Sequence, residues 1–317
     1  MIIFDKKIDF FFIKFPIFFP LVYLAALFGM PDYGYVIAFC TLLFLAEPHF
    51  GATWTVFFDE KMRAYAKNHT FLFIQAPILI IIGSTILFFK FTVIFYILFF
   101  AFNIYHVTRQ SIGICKLFSA SSDEKLLQEY SLYFMNFLSF VGILSFHMFN
   151  LISEKQAFLF GFLLIGCSLI LIIIQKIKFT NWETALTTLT GFLMFIPAFF
   201  VNEPIHAMLA GITMHYSQYL AMTLKITMGK SNSNYHAISA KASVFNFKHY
   251  LFLIIGYGTI ATLVTSFSAS GTGAFAKLIL LPLLGQILHF YIDGLVWKFS
   301  KKEVREINLK FLFNKNF

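Results

Sequence analysis

Residues 156–175 read QAFLFGFLLIGCSLILIIIQ, twenty residues without a charge. As an α-helix they measure about 30 Å, the thickness of a bilayer's hydrocarbon core. Backbone N–H and C=O groups in lipid must be satisfied within the segment, and a helix does this. Runs of the same kind recur along the whole chain of 317 residues, which is 59% hydrophobic and 12% charged. Their recurrence predicts an all-α, polytopic transmembrane bundle. Ten spans are expected, at 9–29, 35–58, 70–89, 91–114, 130–149, 156–175, 182–201, 205–227, 248–267 and 275–298. The split between the third and fourth rests on Lys90 alone.

Charge tests that count. With a cytoplasmic N-terminus, the inner segments are both termini and 59–69, 115–129, 176–181 and 228–247. About 20 of the 24 Lys and Arg residues then fall on the inner side. Such a bias is the positive-inside pattern, with both termini cytoplasmic, and it suits a bacterial inner membrane. It also accounts for the net charge of +9 without a nucleic-acid partner. Residues 1–298 therefore read as a single membrane domain with its longest polar loop at 228–247. Residues 299–317 read as a basic amphipathic tail, an interfacial helix on the inner leaflet, with Leu309, Phe311, Leu312 and Phe313 as its apolar residues. Cys40, Cys115 and Cys167 have neither disulfide nor zinc-knuckle spacing.

Inside this apolar chain, Leu45–Trp54 reads LAEPHFGATW and carries Glu47, Pro48 and His49 in the second span. Pro48 has no N–H and its ring clashes with the carbonyl four residues back, so the span bends beside His49. Gly51 lets a neighbouring helix approach. Three further histidines, His106, His215 and His289, sit in spans four, eight and ten, which run in the same direction. The count from each to the following inner-face cation is 12 (His49 to Lys61), 10 (His106 to Lys116), 10 (His215 to Lys225) and 9 (His289 to Lys298). At the helical rise these lie roughly 14–18 Å above the inner face, one layer near the midplane. Ionisable groups at that depth face the protein interior and mark function. Neutral imidazole is the commonest metal ligand. The four histidines are therefore expected to hold a divalent first-row metal. The other five (His69, His147, His206, His236 and His249) lie near span ends or in loops and read as structural or interfacial.

Neighbours extend the set. Asp293 lies four residues after His289 and shares its helix face, either as a ligand or as acceptor for the imidazole N–H. Gln218 and Tyr219 follow His215 by three and four residues on one face, to orient it, to bond a bound oxygen species or to join helices. Arg109 and Gln110 lie one turn inward of His106. An Arg at that depth needs an anion, with Asp293 the first candidate and Glu47 the second, or else it snorkels to the headgroups. Trp54, Tyr105, Tyr291 and Trp297 are candidates for an apolar substrate channel or for ordinary packing.

Single histidines spread over several membrane helices, opening with the Pro-His of EPHFG at His49, resemble the Brp/Blh family of membrane β-carotene 15,15'-dioxygenases. The resemblance implies a multi-span fold, non-haem iron held by His49, His106, His215 and His289, and O2-dependent cleavage of a lipophilic substrate. Phe50 separates Pro-His from Gly51, where that family has Pro-His-Gly, and its closely spaced His pair on a late helix is missing. From the residues themselves, an all-imidazole or His-plus-carboxylate set suits Fe(II), Zn(II), Mn(II) or Cu(II), and a place near the midplane favours Fe(II) and O2 chemistry on an isoprenoid or acyl lipid over zinc hydrolysis. Two readings stay open beside it. One is a proton-coupled transporter using Glu47, Arg109 and Asp293, with Pro48 and Pro282 as helix breaks. The other is a haem protein using two of the four histidines.

Overall fold

A computed structural model describes residues 2–119, 121–178, 182–232, 246–273 and 275–313. Helix is the only regular secondary structure among the described residues, with no strand among them. In chain order the α-helices are α1 (Lys6–Asp9), α2 (Phe18–Gly29), α3 (Gly34–Thr41), α4 (Glu47–Trp54), α5 (Glu60–Asn68), α6 (Ala76–Lys90), α7 (Thr92–Phe118), α8 (Ser122–Ile143), α9 (Glu154–Lys178), α10 (Trp182–Leu193), α11 (Pro204–Asn232), α12 (Phe247–Ser270), α13 (Leu280–Val296) and α14 (Lys302–Ile307).

Among the described residues, seven helical stretches are long and apolar enough to cross a membrane: Pro31–Phe58, Phe71–Lys90, Thr92–Phe118, Ser122–Met148, Glu154–Gln175, Phe247–Ser270 and Ala276–Val296. An eighth is added if Lys6–Lys14 and Phe18–Gly29, bent by 61° at Pro16, count as one span. The helices divide at Lys90, as that residue's charge predicts. Beside that first span, two of the ten expected spans do not pass. Around 182–201 the helix α10 has 12 residues and gives way to a 3-10 turn at Ile196–Phe200. At about 18 Å that helix is too short to cross alone. The span at 205–227 forms the 29-residue α11, which carries Thr213, Ser217, Gln218, Thr223 and Thr227 along its length. Most of the polar loop 228–247 lies outside the described residues.

Prolines explain three of the four π-helical turns among the described residues. Those at Phe10–Lys14, Leu42–Ala46 and Phe71–Gln75 are each followed within two residues by Pro16, Pro48 or Pro77, and the fourth, Leu144–Met148, has none after it. Widening the turn shifts the hydrogen bonds to the fifth residue back, which relieves the ring's clash with the fourth carbonyl. At Pro48 this is explicit: the Glu47 N–H donates to Leu42 O, five residues earlier.

Backbone contacts divide the chain into two units. The first comprises Asp5–Ala38 and Phe100–Gln218. Its helices meet through side-chain amides and hydroxyls: Gln128 Nε2 donates to Thr188 Oγ1, Asn136 Nδ2 to Thr108 Oγ1 and Gln175 Nε2 to Ser131 Oγ, each at 2.9 Å. Buried Lys14 pairs with Glu183 of α10 at 2.6 Å, and its carbonyl accepts from Thr190. Such bonds join helices where lipid offers no hydrophobic drive between them.

The second unit comprises Ile2–Phe4, Phe39–Phe99 and Tyr219–Phe317. Here α12 lies along α4 at glycine distance. A Cβ on Gly51 would stand 3.0 Å from Tyr257, and one on Gly258 would stand 2.9 Å from the ring carbons of Pro48. The expected approach at Gly51 is therefore present, with α12 as the neighbour. In the tail, Val304, Ile307, Leu312 and Phe313 are buried. Ile307 packs with Met62 of α5 and Val296 of α13, which holds the tail on this unit. Asn308 fixes it further, donating to Val296 O at 3.0 Å and accepting from Lys230 at 3.0 Å. Protein packing offers those side chains removal from water plus shape-matched contacts.

A candidate metal centre of four histidines

His49 is the third residue of α4, one position past Pro48, and is 1% exposed. His289 lies in α13 and is fully buried. Their rings stand 4.4 Å apart and nearly perpendicular, at 72°. His106 of α7 and His215 of α11 form a second buried pair, with ring centroids 5.4 Å apart at 89°. The four form one buried group in which each offers a nitrogen within 4.8 Å of the others, and such a group could bind a metal ion.

The histidines read as structural have bonds of their own. His206 Nδ1 pairs with Tyr23 Oη at 2.6 Å, His147 Nε2 with Ala198 O at 2.9 Å and His69 Nδ1 with Tyr65 O at 2.9 Å. His249 completes a capping box with Asn246 at the start of α12. His236 lies outside the described residues.

Asp293 does not belong to the group of four. Its Oδ1 lies 3.8 Å from His289 Nδ1, too far for a hydrogen bond. A residue that sequence reasoning missed stands between them. Thr53 Oγ1 lies 2.5 Å from His289 Nδ1, 2.8 Å from Asp293 Oδ1 and 2.7 Å from Tyr219 Oη. Tyr219 in turn donates to Asp293 Oδ1 at 2.8 Å and accepts from Trp297 Nε1 at 3.3 Å. Thr53 follows His49 by four residues, so it shares that face of α4.

The remaining candidates fall elsewhere. Tyr219 joins the network around Asp293, but Gln218 donates to Ile13 O at 2.6 Å. Arg109 meets neither Asp293 nor Glu47. Its guanidinium bonds Tyr133 at 3.0 Å and Glu129 of α8 at 3.2 Å, with the side chain about half exposed. Glu129 also takes Lys116 at 2.5 Å. Helix α8 follows α7 after three residues, and an acid on it lies nearer to Arg109 in sequence than one on α13. Gln110, next along α7, is partly buried. Glu47 is buried and accepts from Gln286 of α13 at 3.3 Å. Of the four channel candidates, Trp54 stacks on Phe57, Tyr105 stacks on Tyr133 and Tyr291 packs beside Met62. Trp297 packs on Tyr219, at 5.6 Å between rings.

Trp297 also lines a cavity of about 30 Å³ with Thr55, Asp59, Thr223, Thr227, Lys230 and Asn308. That volume admits a water or two, and the lining is polar enough to hold them. Lys230 and Asp59 form a buried ion pair there at 2.7 Å.

The long apolar helices are those of an integral membrane protein, and its buried histidine group has the donors of a metal site. No family model, characterised protein or solved structure matches the chain.

Proposed function

We propose that this protein is an integral-membrane oxygenase that holds one divalent transition metal, Fe(II), on His49, His106, His215 and His289, and acts with O2 on a lipophilic substrate such as an isoprenoid or an acyl lipid. The observation that carries the reading is the convergence of four buried imidazoles, one nitrogen from each within 4.8 Å of the rest. Two nitrogens on opposite sides of one ion, each about 2.1 Å from it, are about 4.2 Å apart. The four can close on a single ion with shifts under about 1 Å, a distance estimated from those bond lengths. Nitrogen-only donors suit iron, zinc or copper, and no thiolate joins the group.

Position favours oxidation over hydrolysis. The sequence depth of the four residues is near the bilayer midplane, where O2 and apolar substrates concentrate and water does not. A ferrous ion bound there supplies the one-electron chemistry that O2 requires. The protein's own contribution is to fix the four imidazoles and to keep the site dry. The Pro-His motif at His49 and its resemblance to the Brp/Blh dioxygenases support the same class, and Phe50 and the missing late His pair are the departures that leave the substrate open. A haem would need the space between two axial imidazoles clear for the porphyrin, and four imidazoles this close oppose that. The charge bias along the chain supports a bacterial inner membrane with both termini inside.

Metal analysis of protein purified in detergent and loaded anaerobically with Fe(II) tests the reading. About one equivalent of iron is expected, falling severalfold in His106→Ala. Less than about a tenth of an equivalent, unchanged in that variant, overturns it.

A further inference from the structure

We propose that Thr53 is a positioning residue: it holds His289 in the Nδ1–H tautomer and so leaves Nε2 as the nitrogen that faces a ligand. The argument is one of proton counting. A hydroxyl has one proton to give and two lone pairs to receive. Thr53 Oγ1 has three polar neighbours within 2.8 Å: Asp293 Oδ1, Tyr219 Oη and His289 Nδ1. Its proton goes to Asp293 at 2.8 Å. An ionised carboxylate only accepts, so giving the Thr53 proton to the imidazole would leave two of the three oxygen–oxygen contacts among Thr53, Tyr219 and Asp293 without a proton instead of one. With its proton committed, Thr53 can only accept from the imidazole. Nδ1 of His289 must then carry the hydrogen, whichever acceptor takes the Tyr219 proton.

Tyr219 and Trp297 brace the arrangement. The Tyr219 hydroxyl donates to the same carboxylate oxygen, and the Trp297 indole N–H donates to Tyr219. Asp293 therefore works through Thr53 rather than by direct contact. The carboxylate sits one hydroxyl further from the imidazole than the direct acid–imidazole pairs that orient many metal ligands. Its charge stays outside the group of four, which remains all-nitrogen. Thr53 itself is fully buried, so no solvent competes for its hydroxyl.

The metal consequence of this proposal rests on the reading of the four histidines as a metal site; the tautomer does not. The test therefore has two readouts. First, metal-free protein labelled with ¹⁵N-histidine in liposomes is examined by solid-state NMR, with the His289 signals assigned by their loss in His289→Gln. The wild type should show a protonated Nδ1 and a bare Nε2. Thr53→Val, which keeps the volume and removes the hydroxyl, should lose that single tautomer, and Thr53→Ser should restore it. Second, Co(II) titration should show tenfold to hundredfold weaker binding in Thr53→Val, with Thr53→Ser within about threefold of wild type. A wild-type His289 protonated at Nε2, or a Thr53→Val protein with unchanged ring signals, overturns the proposal. Wild-type protein that binds no Co(II) while its tautomer still follows Thr53 overturns the metal reading and leaves the positioning role standing.

Discussion

Replacing Gly258 by Ala should destabilise the protein and loosen the metal site, whereas replacing Gly256 by Ala should do neither. Both glycines lie in α12, two residues apart. A methyl on Gly256 would meet nothing within 4 Å. A methyl on Gly258 would stand 2.9 Å from both Cδ and Cγ of Pro48 and 3.2 Å from Leu43 O. Neither neighbour is the free end of a flexible chain: one is a proline ring, the other a carbonyl. The gain from replacing a helical glycine, about 1 kcal/mol in a soluble helix, is common to both variants and cancels between them. What remains is the overpacking term, about 1–3 kcal/mol. Thermal unfolding in one detergent should therefore place the Gly258→Ala protein several degrees below Gly256→Ala. Pro48 adjoins His49, so Co(II) affinity should fall in Gly258→Ala and hold in Gly256→Ala. If the two variants melt together, the close packing of α12 on α4 is not what sets this contact. If they separate in stability but bind Co(II) equally, Pro48 does not transmit its position to His49.

Two further outcomes follow from the ion pairs. Lys230→Met leaves the Asp59 carboxylate buried without its cation, and the pair's side chains are only 9% and 3% exposed. Loss of about 3–5 kcal/mol is expected, read as a lowered midpoint of unfolding, with much of it recovered in the Asp59→Asn, Lys230→Met double variant. Arg109→Gln should cost no more than about 1 kcal/mol, because its link to Glu129 is half exposed. Its metal content should equal that of the wild type, and a loss of iron would return Arg109 to the site.

The helices were legible because apolar runs of the right length have few alternatives. The histidine group was legible for a related reason. Helical rise converts residue number into depth, and four residues counted from the same face arrive at one level. Depth says nothing, however, about which helix lies beside which. Thr53 was invisible for that reason. It is an ordinary hydroxyl in an apolar helix until α13 is known to pass beside α4 with Asp293 on the facing side. The partner of Arg109 was within reach. Arg109 lies nine residues before the end of α7 and Glu129 seven after the start of α8, positions that oppose each other across a short turn. The length of α10 was hidden because the apolar run through Ile196–Phe200 continues past the end of the α-helix, so hydropathy counts two different turns as one span.

The π turn at Leu42–Ala46 works as slack ahead of the half-helix that follows. Its bond from Glu47 to Leu42 spans one residue more than an α-turn does. Removing a single residue from that turn would let the same bond close as an α-turn, so the half-helix beyond would keep nearly the same orientation. His49 and Thr53 would go on facing His289 and Asp293. The same deletion in a regular α-helical stretch would instead turn everything beyond by about 100°, the angle of one α-helical residue. The extra residue is thus taken up locally, and a one-residue deletion there should spare the site where a deletion one turn later would not.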